Sequence, residues 1–401
     1  MKKKFLALFM VLCLSLSLVP AAFAAEDTTD LQQQINDATA GETVELTDDV
    51  TISQPLTINK QLTLDGNGHT LTMTGSGYAI VVSTDSEVTV QELNVEATAS
   101  GGRGIQMGTA NPHFTLKDST LNVNNRGIGF TDNGTTSGAV VTVDNSTIQN
   151  SQKPADKTYE NWSHQGDTRG IAIWNNKGIT IDIKNHSKIL GFGYPINMAG
   201  DVVNGVRDME NSTINITDSD VWGWCALNIW TIDTTFNITN SNLKGFVETD
   251  NPWNSFATIV LNEDIYGNIT DNEKANVFNI SGGSVTSDCV SNDDEVFHCL
   301  FRLDEEFMSE FHFYEDEDTM EKVDLYCKMP FSAFVLTYDE MTMEGFTTWA
   351  QTKLSCSSND TTYNWSAIAP GVNVDAANAL MLQNVIPVEA DGVDNEGGQM
   401  Q

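Results

Sequence analysis

Six of the eight tryptophans lie between positions 162 and 253, at Trp162, Trp174, Trp222, Trp224, Trp230 and Trp253. Asn197 and Asn228 are interspersed with them, and Tyr159, His164 and Arg169 stand close by in the chain. Flat aromatic faces beside amide edges suit sugar rings, which offer apolar faces and hydroxyl rims. The competing reading is that several of these indoles pack in the interior; Trp162 and Trp253, set in long polar segments, fit it least. A second pattern is Arg103, Arg126 and Arg169, three of five arginines, each followed by Gly and Ile. A row of guanidiniums can grip carboxylates two-pronged, as uronic acids would require. In so acidic a chain the favoured reading is structural, with the row neutralising Asp85, Asp132 and Asp167. Acid–base chemistry would fall to His164, Asp167 and Asp201.

The elements that must position these groups come from a recurring phrase. Asp118-Ser119-Thr120-Leu121, Asn145-Ser146-Thr147-Ile148, Asp218-Ser219-Asp220-Val221 and Asn240-Ser241-Asn242-Leu243 repeat one pattern, with a stretched copy at Asn185-His186-Ser187-Lys188-Ile189. The shortest interval, from Asp218 to Asn240, is 22 residues, which marks a solenoid whose loops grow outward from a constant coil. Asp and Asn tolerate a left-handed backbone, so one turn per coil is predicted to need it. A strand with period-2 alternation recurs as well, at Tyr78-Ala79-Ile80-Val81, Arg126-Gly127-Ile128-Gly129-Phe130, Arg169-Gly170-Ile171-Ala172-Ile173 and Tyr194-Pro195-Ile196-Asn197-Met198. It continues through Cys225-Ala226-Leu227-Asn228-Ile229 and Ala257-Thr258-Ile259-Val260-Leu261. Alternation points Ile171, Ile173, Ile196, Met198, Leu227 and Ile229 inward and leaves Trp174, Asn197, Asn228 and Trp230 outward. About nine coils fit between residues 51 and 290, stacked at roughly 4.8 Å.

Two insertions, 151–168 and 248–255, precede such strands and would wall a groove over them. Phe192, Trp224 and Phe246 follow glycines at matching places; they form an outward aromatic column by strict alternation, or turn to the core if the glycines take positive φ. The core reading is favoured.

Leu31, Ile35 and Ala38 share one face of a short helix over 31–40, ended by Gly41. Alternating segments follow and lead into Leu62-Thr63-Leu64-Asp65-Gly66-Asn67-Gly68. This opening resembles the N-terminal cap of the right-handed parallel β-helix (pectin-lyase-like) superfamily, in which a helix plugs the end of the stack. The resemblance covers roughly 29–290 and implies an all-β fold: a right-handed parallel β-helix solenoid with a short N-terminal capping helix. It says little of chemistry, because the superfamily holds lyases, hydrolases and non-enzymatic surface proteins. The polygalacturonase order of Asn-Thr-Asp, Asp-Asp, Gly-His-Gly and Arg-Ile-Lys is missing, as are the Ile-Asp-His and Arg-x-Pro-x-x-Arg segments of pectate lyases. Inverting hydrolysis needs two carboxylates spaced around a water. Outward mid-strand positions carry Ala172, Asn197, Asn228 and Val260, while Asp201, Asp233 and Glu263 fall in the turns that follow.

The formal charge of −35 repels nucleic acid and free polyanions and attracts cations. No cofactor or metal site is called for, although Ca²⁺ is the ion such a field would draw in. Residues 1–24 read as a signal peptide, with Lys2-Lys3-Lys4, an apolar run too short to span a bilayer and an Ala22-Phe23-Ala24 cleavage site. Cys225 reads as a small buried residue; Cys289, Cys299, Cys327 and Cys356 leave three disulfide connectivities open. The organisation predicted is a signal peptide (1–24), an N-terminal cap (26–50), the β-helix (51–290), a C-terminal capping region (291–388) and an acidic disordered tail (389–401).

The function expected is a secreted or cell-surface protein, without a transmembrane segment, that binds a polysaccharide or surface glycan rather than transforming it. The residues expected to bind are Tyr159, Trp162, His164, Arg169, Trp174, Asn197, Asn228, Trp230 and Trp253. A polysaccharide lyase or inverting glycoside hydrolase is the alternative, and a plain structural spacer a third reading.

Overall fold

The computed structural model describes residues 28–109, 111–130, 138–152, 168–174, 177–199, 210–231, 233–246, 258–261, 276–281 and 283–290, with separate strands between 202 and 365. The expected signal peptide at 1–24 and tail at 389–401 lie outside the described residues.

Three parallel sheets form the body. The first stacks Thr43–Glu45, Leu62–Asp65, Glu87–Gln91, His113–Lys117, Val140–Asp144, Thr180–Lys184, Ser212–Thr217, Thr234–Thr239 and Asn276–Ser281. The second runs from Val50–Ile52 to Ser284–Val290. The third stacks Leu56–Ile58, Gly77–Val82, Gly102–Met107, Arg126–Phe130, Arg169–Trp174, Tyr194–Ala199, Leu227–Ile229, Ile259–Leu261 and Val296–Leu303. One strand from each sheet makes a coil, which is a right-handed parallel β-helix, and nine such coils can be traced among the described residues.

Alternation sets the core. Ile80, Ile105, Ile128, Ile171, Ile196, Leu227 and Ile259 are register neighbours in the third sheet, and none exposes any side-chain surface. Ile173, Met198 and Ile229 form the adjoining inner column, equally buried. Phe236 and Phe278 stack face to face on consecutive coils, 4.6 Å between centroids. β-Branched residues suit this arrangement because each packs against its copies above and below on a pleated wall.

The turn from first to second sheet is the constant one. Asp118, Asn145, Asp218 and Asn240 take φ between 45° and 49°, and Asn185 and His186 take 57° and 64°. The serine that follows is buried. Its Oγ donates to the carbonyl two residues back, Lys117 for Ser119 and Asp144 for Ser146, each at 2.7 Å. The same oxygen accepts the N–H of the preceding coil's matching residue: Leu93 to Ser119, Ser119 to Ser146 and Ser146 to Ser187, all at 3.1 Å. This ladder satisfies buried amides that the turn removes from the sheets.

The second-to-third corner is tight. A Cβ on Gly170 would stand 2.4 Å from Ile189 Cγ2 and 2.5 Å from the Pro195 carbonyl oxygen, so only glycine lets the chain pass there.

First-to-second connections span at most four residues, whereas the long ones, 131–139, 151–168, 200–211, 247–258 and 262–275, all join an end of a third-sheet strand. That sheet is therefore the one framed by insertions on both sides.

The helix Thr28–Asp37 covers the first coil with Leu31 and Ile35. It closes before Ala38 rather than at Gly41; Gly41 instead takes φ 89° in the following turn. Gln32 accepts the Thr57 N–H at 2.7 Å and donates to the Thr57 carbonyl at 3.0 Å, filling the place of a missing strand at the sheet edge. Lys60 Nζ donates to the carbonyls of Asn36 and Ala38, where the helix leaves acceptors open. At the far end Met308–Tyr314 still pairs in parallel, but Lys322–Lys328 and Ala333–Thr337 add antiparallel strands to the first and third sheets.

Candidate functional site

The outer face of the third sheet is assembled by register. Its central column reads Val81, Gln106, Gly129, Ala172, Asn197, Asn228 and Val260. The column at the strand starts reads Tyr78, Arg103, Arg126, Arg169 and Tyr194. Gly129 and Ala172 are the low points, and beside them opens a hollow of about 200 Å³ lined by Arg126, Arg169, Ala172, Ile173, Trp174 and Asn197. Gly129 is what lets the basic side lie flat: a Cβ there would meet the Tyr78 hydroxyl at 2.0 Å and Arg126 Cδ at 2.9 Å.

The polar groups are oriented by a relay. Trp230 Nε1, which can only donate, donates to Asn228 Oδ1 at 3.1 Å. Asn228 Nδ2 in turn donates to Asn197 Oδ1 at 2.8 Å. With its oxygen committed to Asn228, Asn197 keeps a buried Nδ2 that has no hydrogen-bond partner. Asn197 is 2% exposed. Unpaired buried donors are rare in folded proteins because each carries a desolvation cost. Arg126 shows the same feature: its Nε is buried without a partner. Arg103 holds its guanidinium carbon 5.3 Å from the Tyr78 ring centroid, a cation–π contact.

Among the described residues no ion pair joins Arg103 or Arg126 to a carboxylate. The expected neutralisation of Asp85 is not met. Asp85 follows the end of its third-sheet strand while the arginines start theirs, and its Oδ1 accepts the Asn111 N–H at 2.9 Å. Asp132 and Asp167 lie outside the described residues.

Of the residues singled out from sequence, Arg169, Trp174 and Asn197 line the hollow together, and Asn228 and Trp230 stand behind it through the relay. Asn197 and Asn228 point away from the cylinder yet are buried, not groove-exposed as alternation alone suggests. Tyr159, Trp162, His164, Trp253 and Asp201 lie outside the described residues. Arg126, Ala172 and Ile173 were not singled out for binding. The Arg-Gly-Ile register was the signal for Arg126, and only the three-dimensional relay shows why that register matters. Phe192 is fully buried after Gly191, whose φ is 80°, so parity flips as the core reading requires; Trp224 is 8% exposed beside Tyr194, 6.1 Å between ring centroids. The Phe246 side chain lies outside the described residues. Cys225 is a buried thiol that donates to the Leu227 carbonyl at 3.0 Å.

A second hollow, about 380 Å³, lies beside the first-to-second turn among His186, Lys188, Asp218, Asp220 and Asn242. Its lining mixes both signs, and Asn242 already donates to Asp220 at 2.9 Å. Among the described residues no group of three or more His, Cys, Asp or Glu side chains could hold a metal ion, and no helix is long and apolar enough to cross a membrane.

Fold and register together define a right-handed parallel β-helix. Residues 24–171 match a family model described as "Putative pectate lyase-like adhesive domain", a stretch that takes in Arg103, Arg126 and Arg169. That match points to an adhesive, surface-type role and a surface partner. Comparison with curated proteins gives no match. Among solved structures, ORF18 of Geobacillus virus E2 is similar at 10% identity, over 71% of this chain and 57% of its own length, with a TM-score of 0.34. The chain thus spans little more than half of that protein, and the likeness is too distant to bear on function.

Proposed function

We propose that this chain is an exported adhesion module that binds a glycan on the outer face of its third sheet, without transforming it. The observation that carries this reading is the hydrogen-bond relay. An indole N–H and two amides are lined up so that Asn197, which lines the hollow together with Trp174, keeps one unpartnered donor, its buried Nδ2. A sugar supplies what is missing on both counts: oxygen acceptors for the donor and a C–H face for the indole. The hollow is smaller than the roughly 300–1,000 Å³ usual for drug-sized ligands, which suits one ring of a chain that continues past it. Trp162 and Trp253, on the insertions that frame the sheet, are the groups proposed to extend the contact, with Tyr159 and His164. The family match to an adhesive domain supports binding as the activity.

The test is a glycan array read with the purified chain and its Trp174→Ala variant. Removing a stacking indole should weaken retained glycans by about tenfold, an aromatic contact of order 1–1.5 kcal/mol. Signals that survive unchanged in Trp174→Ala place the binding surface elsewhere.

A further inference from the structure

We infer that the outer face of the second sheet carries another, weaker sugar site, one that takes a neutral hexose. It shares no lining residue with the third-sheet hollow, so either reading can fail alone. The starting observation is a change of character along one outward column. In the earlier coils that column reads Thr72, Glu96, Asn122 and Gln149, in register. These side chains bond to one another: Asn122 Nδ2 donates to Glu96 at 2.7 Å, and Gln149 Nε2 to Asn122 Oδ1 at 3.4 Å. In the next two coils the column turns to Leu190 and Trp222, vertical neighbours that point outward and stay half-buried. The inward places on the same strands are filled by Ile189 and Val221, both fully buried, so the core does not call for this apolar pair.

A polar row runs beside the apolar strip. Two residues earlier on the same strands stand Lys188 and Asp220, with Asn242 on the following coil. Same-face residues on a strand lie about 6.6 Å apart and neighbouring strands about 4.8 Å, close enough for one sugar ring to meet both rows. Together with His186 and Asp218, the polar row lines the hollow of about 380 Å³ beside the turn. Lys188 and Asp220 are register neighbours, yet among the described residues no ion pair joins them. Each keeps hydrogen-bonding capacity for the hollow that they line.

The lining sets the class of ligand. Ionised Asp218 and Asp220 only accept hydrogen bonds, whereas Lys188 only donates them. A carboxylate would stand against the two aspartates, and an ammonium against the lysine. An uncharged hydroxyl both donates and accepts, and so answers both signs. The C–H face of a hexose covers what Leu190 and Trp222 leave exposed. Water screens these open charges more than it screens a buried donor, which makes this the weaker of the two sites. Two sugar contacts on different faces of one cylinder would hold a glycan-coated surface better than either alone.

The test titrates the full chain with cellohexaose, maltohexaose and mannohexaose, and with the charged hexamers hexaglucosamine and hexagalacturonate. In the Trp174→Ala variant, which lacks the third-sheet indole, at least one neutral hexamer should still bind, about tenfold more weakly than to the native chain. Adding Trp222→Ala should weaken that residual binding by about tenfold again, and adding Asp220→Asn should do the same. Asp220 sits on the strand's outward face, so its variant keeps the test open if Trp222→Ala fails to fold, with melting curves as the check. Residual binding that neither substitution changes overturns the second-sheet site and leaves the third-sheet reading standing. Binding that ignores Trp174→Ala but falls with Trp222→Ala does the reverse. Failure of every neutral hexamer to bind the Trp174→Ala variant, or tighter binding of a charged hexamer to it, overturns the neutral-sugar site.

Discussion

At the scale of single residues, side-chain size decides where the chain can turn and where it can hold a ligand. Gly170 sits where a Cβ would press on Ile189 and on the Pro195 carbonyl, one rigid contact being backbone. Gly170→Ala is expected to cost about 1–3 kcal/mol, as overpacking does, read as a lower urea midpoint with unchanged slope. An unchanged midpoint would mean that the corner has slack it does not show. Gly129 is cramped differently, by the far ends of Tyr78 and Arg126, so substitution there should disturb the hollow more than the fold. The arginines show the limit of reading residues alone. Their common register was visible in the repeated Arg-Gly-Ile, but the choice between neutralising neighbours and facing a ligand depends on which end of a strand each acid occupies. Asp85 turns out to stand at the other end, bonded to Asn111. Nothing in residue spacing along the chain encodes the orientation of the Asn197 amide either; it follows from Asn228 and Trp230, one coil further along the chain.

At the scale of elements, the turn from first to second sheet carries the fold's repeat. The left-handed Asp or Asn was legible from the Asp/Asn-Ser phrase because few residues accept that backbone. The role of the serine was not, since its partners lie one coil away. Ser146 accepts from Ser119 N–H and donates to Asp144 O, while its own N–H goes to Ser187. Ser146→Ala leaves the Ser119 amide buried without an acceptor and should lower stability by about 1–3 kcal/mol, measured by calorimetry. Ser146→Thr, which keeps the hydroxyl, should cost less. A loss equal for both variants would assign the effect to packing rather than to the ladder. The apolar face of 31–40 predicts the capping helix and Gly41 its end, whereas the helix closes at Asp37. Gln32 explains the importance of that helix better than its hydrophobic face does, because its amide occupies the edge of the first third-sheet strand.

For the whole molecule, stacking turns a one-dimensional repeat into a surface with three different faces. The inner columns were legible because aliphatic residues at period 2 must be buried somewhere, and Ile171, Ile196 and Leu227 are vertical neighbours as alternation demands. The sequence marks two insertions, 151–168 and 248–255, ahead of third-sheet strands; what it does not supply is that the other long connections between described strands, 131–139, 200–211 and 262–275, also join that sheet's ends. An acidic cylinder with one donor-lined, aromatic-edged hollow on its framed face is the arrangement on which the functional reading depends. The most direct measurement is a crystal structure of the full chain grown with a glycan that it retains on an array. The expected result is a sugar ring against the Trp174 indole with an oxygen within about 3 Å of Asn197 Nδ2. A ligand bound on the first or second sheet, with the third-sheet hollow untouched, would contradict it.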